Sequence, residues 1–215
     1  MIEISILTFL CYAIKTENQL ISSCYKTNAL RSFIALELPL TIRSALAELQ
    51  QELKRCNADI RWVKPDNIHL TLKFLGEVKE DRIDGIIKAV RDVCDRYGQL
   101  RLEVRGLGVF PNRRSPRVLW VDVPDDGLLA GLQKDIEEAM ALAGFKSEKR
   151  GYTPHLTIGR FRSLKEKDHL LERIGQFSDN SLGYIDVKSV ALMRSDLGPA
   201  GAVYTRIADL PLSGS

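Results

Sequence analysis

One tetrapeptide pattern occurs twice in this chain, as His69-Leu70-Thr71-Leu72 and as His155-Leu156-Thr157-Ile158. From average residue usage, Leu, then Thr, then an aliphatic residue follows a given histidine on the order of once in a thousand cases. The chain holds three histidines in all. What precedes the two copies also matches. Phe33, in the apolar run Arg31 to Leu38, lies 36 residues before His69, and Leu119, in the run Arg117 to Val123, lies 36 residues before His155. A repeated motif at a repeated distance from a repeated strand predicts an internal duplication. The expected product is two β-α-β-β-type halves related by a pseudo-two-fold axis, with the lobe boundary in the loop near 111–116 and a cleft between the lobes.

The segments between these landmarks read as alternating strands and helices. Ile42, Leu46, Leu49, Leu53 and Cys56 step by four and three residues and form one apolar helical stripe. Ile60 to Val63 and Ile68 to Leu75 read as strands joined by the turn residues Lys64-Pro65-Asp66-Asn67. Ile83, Ile87, Val90, Cys94 and Tyr97 mark a second helix, which Gly98 can cap, and Leu100 to Val109 a further strand. In the second half Leu129, Leu132, Ile136, Met140 and Ala143 predict a helix ended by Gly144. Pro154 to Phe161 is then a strand, Lys165 to Ile174 a short helix, and Gly183 to Arg194 and Ala202 to Ala208 the last strands. The class is α+β, two pseudo-symmetric lobes, each a mostly antiparallel sheet with helices on its outer face.

With 215 residues, 45% of them hydrophobic, the chain can bury a core without disulfides or metals. A net charge of +3 is too small to mark the whole molecule as a nucleic-acid binder. Cys11, Cys24, Cys56 and Cys94 contain no Cys-x-x-Cys pair, so free thiols in a reducing cytoplasm are expected, with Cys56 and Cys94 buried at the ends of helical stripes. Met1 to Ile14 is apolar but carries Glu3 where a secretory signal has basic residues, and it falls short of the roughly 20 residues a membrane span needs. Residues 1–29 therefore read as an N-terminal extension outside the fold, upstream of a translation start expected at Leu30 from a non-AUG codon. Residues 30–210 carry the organised pattern and 211–215 form a tail. No membrane association is expected.

On a strand, residues two apart share a face. His69 and Thr71 thus project together, as do His155 and Thr157, while the intervening aliphatic residues enter the core. Two imidazoles facing each other across a cleft suit in-line displacement at phosphorus, where the attacking and leaving oxygens lie on opposite sides and need a base and an acid. Histidine serves as both near neutral pH, and the threonine hydroxyls can bond the non-bridging oxygens as charge shifts onto them. The competing reading is a pair of half-buried strand histidines that only satisfy each other or the backbone. No His-x-His or His-Glu-x-x-His spacing occurs, and neither tetrapeptide holds a carboxylate on its His-Thr face, so no metal or cofactor is expected. His169, within Lys165-Glu166-Lys167-Asp168-His169, reads as part of a solvated helix face.

The segments RSFIALELP (31–39), WVKPDNIHLTLKFLGEV (62–78), GLGVFPN (106–112) followed by RVLW, and YTPHLTIGR (152–160) resemble the RNA 2′,3′-cyclic phosphodiesterases of the 2H phosphoesterase superfamily, also called 2′-5′ RNA ligases. The resemblance spans residues 30 to 210. It implies hydrolysis of an RNA terminal 2′,3′-cyclic phosphate to a 2′-phosphomonoester without metal, with 2′-5′ ligation as the reverse direction. By the motif, His69 would protonate the departing 3′-oxygen, His155 would activate water, and Thr71, Thr157 and Arg160 would hold phosphate oxygens. The symmetry of the two tetrapeptides alone does not assign the acid and the base. Strict alternation sends Arg160 to the face opposite His155, so its role requires a bulge at Gly159 or a strand end there. The same alternation puts Lys73 on the His69 face as a further cation, and Phe33, on the neighbouring strand, is placed to stack on a nucleobase. Arg101, Arg105, Arg113, Arg114 and Arg117 against Glu103 form a basic stretch suited to the phosphates preceding an RNA end. The expected partner is an RNA end bearing a cyclic phosphate, and the expected state a monomer. Two alternatives share the motif: a phosphodiesterase for small nucleotide cyclic phosphates, and a non-catalytic module that clamps RNA ends.

Overall fold

A computed structural model of the chain describes residues 29–177, 180–199 and 201–214. Nine strands and four helices follow in the order β1 (Ala29–Glu37), α1 (Leu40–Lys54), β2 (Ile60–Trp62), β3 (His69–Lys79), α2 (Ile83–Cys94), β4 (Leu100–Phe110), β5 (Val118–Asp122), α3 (Leu128–Leu142), β6 (His155–Phe161), α4 (Lys167–Gly175), β7 (Ser181–Val187), β8 (Ser189–Gly198) and β9 (Gly201–Pro211). Local chemistry accounts for the start of two of the helices. Pro39 holds φ at −66° and opens α1, whose buried residues Ile42, Leu46, Leu49 and Leu53 are the apolar stripe. The carboxylate of Asp125 accepts the backbone N–H groups of Leu129 and Ala130 at the start of α3, satisfying two of the donors a helix leaves orphaned.

All the strands join one antiparallel sheet in the order β7-β4-β5-β6-β3-β1-β8-β9, with β2 added alongside β6. The sheet has two wings. β7, β4, β5 and β6 make one, β3, β1, β8 and β9 the other, and the wings meet where Leu70 of β3 pairs with Leu156 of β6. Both leucines are the residue after a motif histidine, and both are fully buried. The pseudo-two-fold axis therefore passes between them, as the spacing of the two halves predicts.

The connections do not respect the wings. α1 and α4 contact each other and the β7–β4 wing, whereas α2 and α3 contact each other and the β3–β9 wing. Each half of the sequence thus sends its first helix behind the other half's strands. β4 also crosses over, pairing with β5 and β7. The loop at 111–116, expected as the lobe boundary, consequently lies within one wing as the β4–β5 connection. The single strand expected over Gly183 to Arg194 is two strands, because the chain passes from the edge of one wing to the other at Lys188.

Leu70, Leu156, Ile34, Leu36, Leu119 and Val121 fill the core between sheet and helices, with the buried Cys56 and Cys94 as free thiols. Burial pushes the Cys94 thiol up to about 12. On the opposite face a smaller cluster of Phe33, Ala35, Ala191 and Met193 lies under Tyr204. The expected C-terminal tail is partly docked: Leu212 is buried, and the Gly214 N–H donates to the Tyr97 carbonyl at 3.0 Å. Residues 1–28, with Cys11, Cys24 and the expected extension, lie outside the described residues, but Ala29 belongs to β1, opposite Lys79. Among the described residues no helix is long and apolar enough to cross a membrane.

Candidate active site

The seam between the wings brings the two tetrapeptides together. Leu70 and Leu156 point into the core, so His69, Thr71, His155 and Thr157 share the opposite face, where all four are half-buried. In antiparallel register around Leu70–Leu156, His69 flanks Thr157 and His155 flanks Thr71. Each histidine is thereby set beside the threonine of the other half.

Both rings are held in one tautomer. His69 Nδ1–H donates to the Asn67 carbonyl at 2.9 Å, and His155 Nδ1–H donates to the Thr153 carbonyl at 2.8 Å. A carbonyl can only accept, so Nδ1 keeps its proton and Nε2 is the nitrogen left for chemistry on both rings. The Asn67 side chain donates to the Ala202 carbonyl at 2.8 Å, tying the turn before His69 to β9. Aromatic rings hold the imidazoles from behind. The Phe33 ring lies 4.6 Å from that of His69, with Tyr204 edge-on at 5.2 Å, and Phe110 stands edge-on to His155 at 5.0 Å with Trp120 at 6.4 Å. Trp120 lies flat over Gly108, where an added Cβ would come within 2.2 Å of the indole. Burial pushes the His69 imidazole below the ordinary histidine value, the Asn67 carbonyl pulls it back, and the charge of nearby His155 adds to the lowering.

Beyond the threonines each strand carries a bulge at the same place, three residues after the histidine. Leu72 is skipped between the pairs Ala35–Thr71 and Ile34–Lys73, and Ile158 is skipped between Trp120–Thr157 and Leu119–Gly159. An extra residue reverses which face the following side chains take. Arg160, opposite Val118, therefore returns to the His155 face, exposed and without a carboxylate partner among the described residues. The bulge that its role required exists, one residue earlier than Gly159. Gly159 is directed inward, where a Cβ would lie 2.6 Å from Ile60 of β2.

The same reversal overturns the placement of Lys73. It does not extend the cationic lining: it is 2% exposed and turned to the helix side, its ammonium 2.6 Å from Glu137 of α3. Phe74 takes the cleft face in its place and is 63% exposed. Phe33 does lie beside the His69 strand, but at 3% exposure under Tyr204 it backs the imidazole and offers no face to a base. Of the basic stretch, Arg101 stacks over Tyr184, Arg105 pairs with Glu103 and Arg113 donates to the Leu171 carbonyl, leaving Arg114 and Arg117. His169 is exposed on α4, as expected.

Two site-shaping residues escape a motif-based reading. Gln50 of α1 is buried, and its amide donates to the carbonyls of Val63 at 2.8 Å and of the bulge residue Ile158 at 2.9 Å. Gln133 of α3 donates to the carbonyl of the other bulge residue, Leu72, at 3.2 Å. Their one sequence signal is an amide within an apolar helical stripe.

The family model for LigT like phosphoesterases matches the chain twice, over residues 36–120 and 121–204. A protein of Methanothermobacter thermautotrophicus named RNA 2′,3′-cyclic phosphodiesterase is 38% identical over 81% of this chain and 95% of its own length. One of the same name from Methanocaldococcus jannaschii is 33% identical over 84% of this chain and 99% of its own. Among solved structures, TT0787 of Thermus thermophilus superposes with a TM-score of 0.72 at 27% identity, covering 86% of this chain and 99% of that one. The Escherichia coli LigT complex with 3′-AMP shares the fold, with a TM-score of 0.71 at 24% identity, covering 86% of this chain and 99% of that one.

Proposed function

The chain belongs to the LigT-like phosphoesterase family, and on that premise we propose that it is an RNA 2′,3′-cyclic phosphodiesterase that opens a terminal cyclic phosphate with water to leave a 2′-phosphomonoester. The observation that carries the reading is the pair of histidines set about one seam, each with Nδ1 committed to a carbonyl and Nε2 left over. In the proposed step a water oxygen forms a bond to phosphorus while the bond from phosphorus to the 3′-oxygen breaks. His155 Nε2 takes a proton from the water, and the imidazolium of His69 gives its Nε2 proton to the departing 3′-oxygen. Solvent then exchanges the two protons back. Thr71 and Thr157 donate to the non-bridging oxygens, and Arg160 offsets the second negative charge that builds on them. All these groups come from the chain itself, so the chemistry needs no metal.

The test is turnover of an RNA ending in a 2′,3′-cyclic phosphate, with the product read by phosphorus NMR. A 2′-phosphate product, unchanged rates in EDTA, and a loss of about 10² to 10⁴ in kcat for His69→Ala and for His155→Ala are expected. A 3′-phosphate product would reverse the bond assignment, and rates that collapse in EDTA and return with a divalent ion would overturn the metal-free step. A wild-type protein that binds the RNA and never turns it over would be an end-binding module instead.

A further inference from the structure

A second concave feature opens beside Phe74, the residue that the first bulge returns to the cleft face. It is a cavity of about 370 Å³ between β3 and the α3–β6 loop, lined by Phe74, Gly76, Phe145, Lys146, Lys149 and Arg150 among others. That volume lies within the roughly 300–1,000 Å³ of pockets that hold small ligands. Three cations line it against one carboxylate, Glu148. None of the three is paired with a carboxylate among the described residues.

The loop bearing these cations is fastened from within. The Lys73 ammonium, almost wholly enclosed, donates to Glu137 Oε1 and to the Lys146 carbonyl, each at 2.6 Å. The same Glu137 oxygen accepts the Glu148 N–H at 2.9 Å. Arg82 lies 4.4 Å over the Phe145 ring, and the Tyr152 hydroxyl donates to the Thr71 carbonyl at 3.3 Å. A buried ion pair seldom stabilises a fold more than apolar packing of the same volume would. What this one does is join β3, α3 and the loop, and so fix the backbone from which Lys146, Lys149 and Arg150 project.

An exposed ring beside unpaired cations is what a single nucleic-acid strand uses, with a base stacked on the ring and its phosphate on the cations. Phe74 lies three residues from Thr71 along β3, roughly 10 Å at the rise of a strand. We infer that this cavity holds the nucleotide preceding the terminal one, its base on Phe74 and its phosphate between Lys146, Lys149 and Arg150, so that the site is built for the end of an RNA strand and not for a cyclic mononucleotide. The inference rests on the proposed function.

Two variants test it, Phe74→Ala and the triple Lys146→Ala/Lys149→Ala/Arg150→Ala, each assayed on a cyclic mononucleotide and on a short oligoribonucleotide with a 2′,3′-cyclic end. Mononucleotide kcat/KM should stay within about twofold of wild type, while Phe74→Ala loses about 5- to 100-fold on the oligoribonucleotide, the range set by one base–aromatic stack. Binding of the same strand with a 2′-phosphate end, followed by fluorescence anisotropy across a salt series, gives a readout independent of turnover. The triple variant should bind more weakly, with a salt slope shallower by about 0.7, the contribution of one phosphate neutralised on a single strand. Equal losses on both substrates, or none on either, would overturn the inference. If the wild type turns over neither substrate, the proposed function fails; the binding measurement then still decides, and equal affinity with an unchanged salt slope in the triple variant refutes the track.

Discussion

His69 carries an electrostatic signature set first by its burial. Its imidazole sits below the ordinary value chiefly because burial disfavours the imidazolium. The neutral ring is therefore the form that folding favours. Its contribution to stability is complete above about 6.5, the unfolded value, and is lost as pH falls through the lower folded value. Urea titrations over that range should show His69→Gln flattening the acid side of the stability profile; an unchanged profile would mean the ring is not enclosed as described. Kinetics probe the same group in its charged form. A bound phosphate stabilises the imidazolium, so the alkaline limb of kcat should lie at higher pH than that of kcat/KM, although both limbs belong to the coupled pair. Coincident limbs would remove His69 from the acid role. Arg160 offers a simpler expectation. It is exposed and, among the described residues, without a carboxylate partner, so Arg160→Lys should leave stability alone and lower kcat roughly tenfold, because an ammonium cannot reproduce the two-pronged contact of a guanidinium.

At the scale of elements, the face shared by His69, Thr71, His155 and Thr157 was legible in the sequence, because alternation on a strand is set by the backbone itself. What followed the threonines was not. Alternation put Lys73 in the cleft and Arg160 behind it, and both are reversed by the bulges at Leu72 and Ile158. The carbonyls of those two bulge residues accept amides from Gln133 of α3 and Gln50 of α1, far away in sequence, so no local pattern announces them. Phe33 failed as a base platform for a related reason: Tyr204, which covers it, arrives on the last strand. Gln50→Leu should take its donor from the Val63 carbonyl and leave the Ile158 carbonyl with the Val63 N–H alone, costing about 1–3 kcal/mol in denaturant unfolding. It should also lower kcat, since the bulge that aims Arg160 relaxes. A variant with reduced stability and wild-type kcat would separate the bulge from catalysis.

Across the whole molecule, the duplication was readable from one spacing, but the exchange of helices and strands between the wings was not, because spacing says nothing of which side of a seam an element docks on. The exchange has a folding consequence. Fragment 29–114 holds α1 without most of the wing it covers, and fragment 115–214 holds α3 without the strand it covers. Each half alone leaves a helix stripe exposed. Circular dichroism should find neither fragment folded by itself and a native-like spectrum on mixing; an independently folded half would contradict the interlocked arrangement. Leu70–Leu156 is, among the described residues, the one backbone pairing recorded between β3 and β6. Each of its two residues is bonded directly to a motif histidine, so this one pair sets the separation of the imidazoles, and a substitution that shifts it displaces both rings at once.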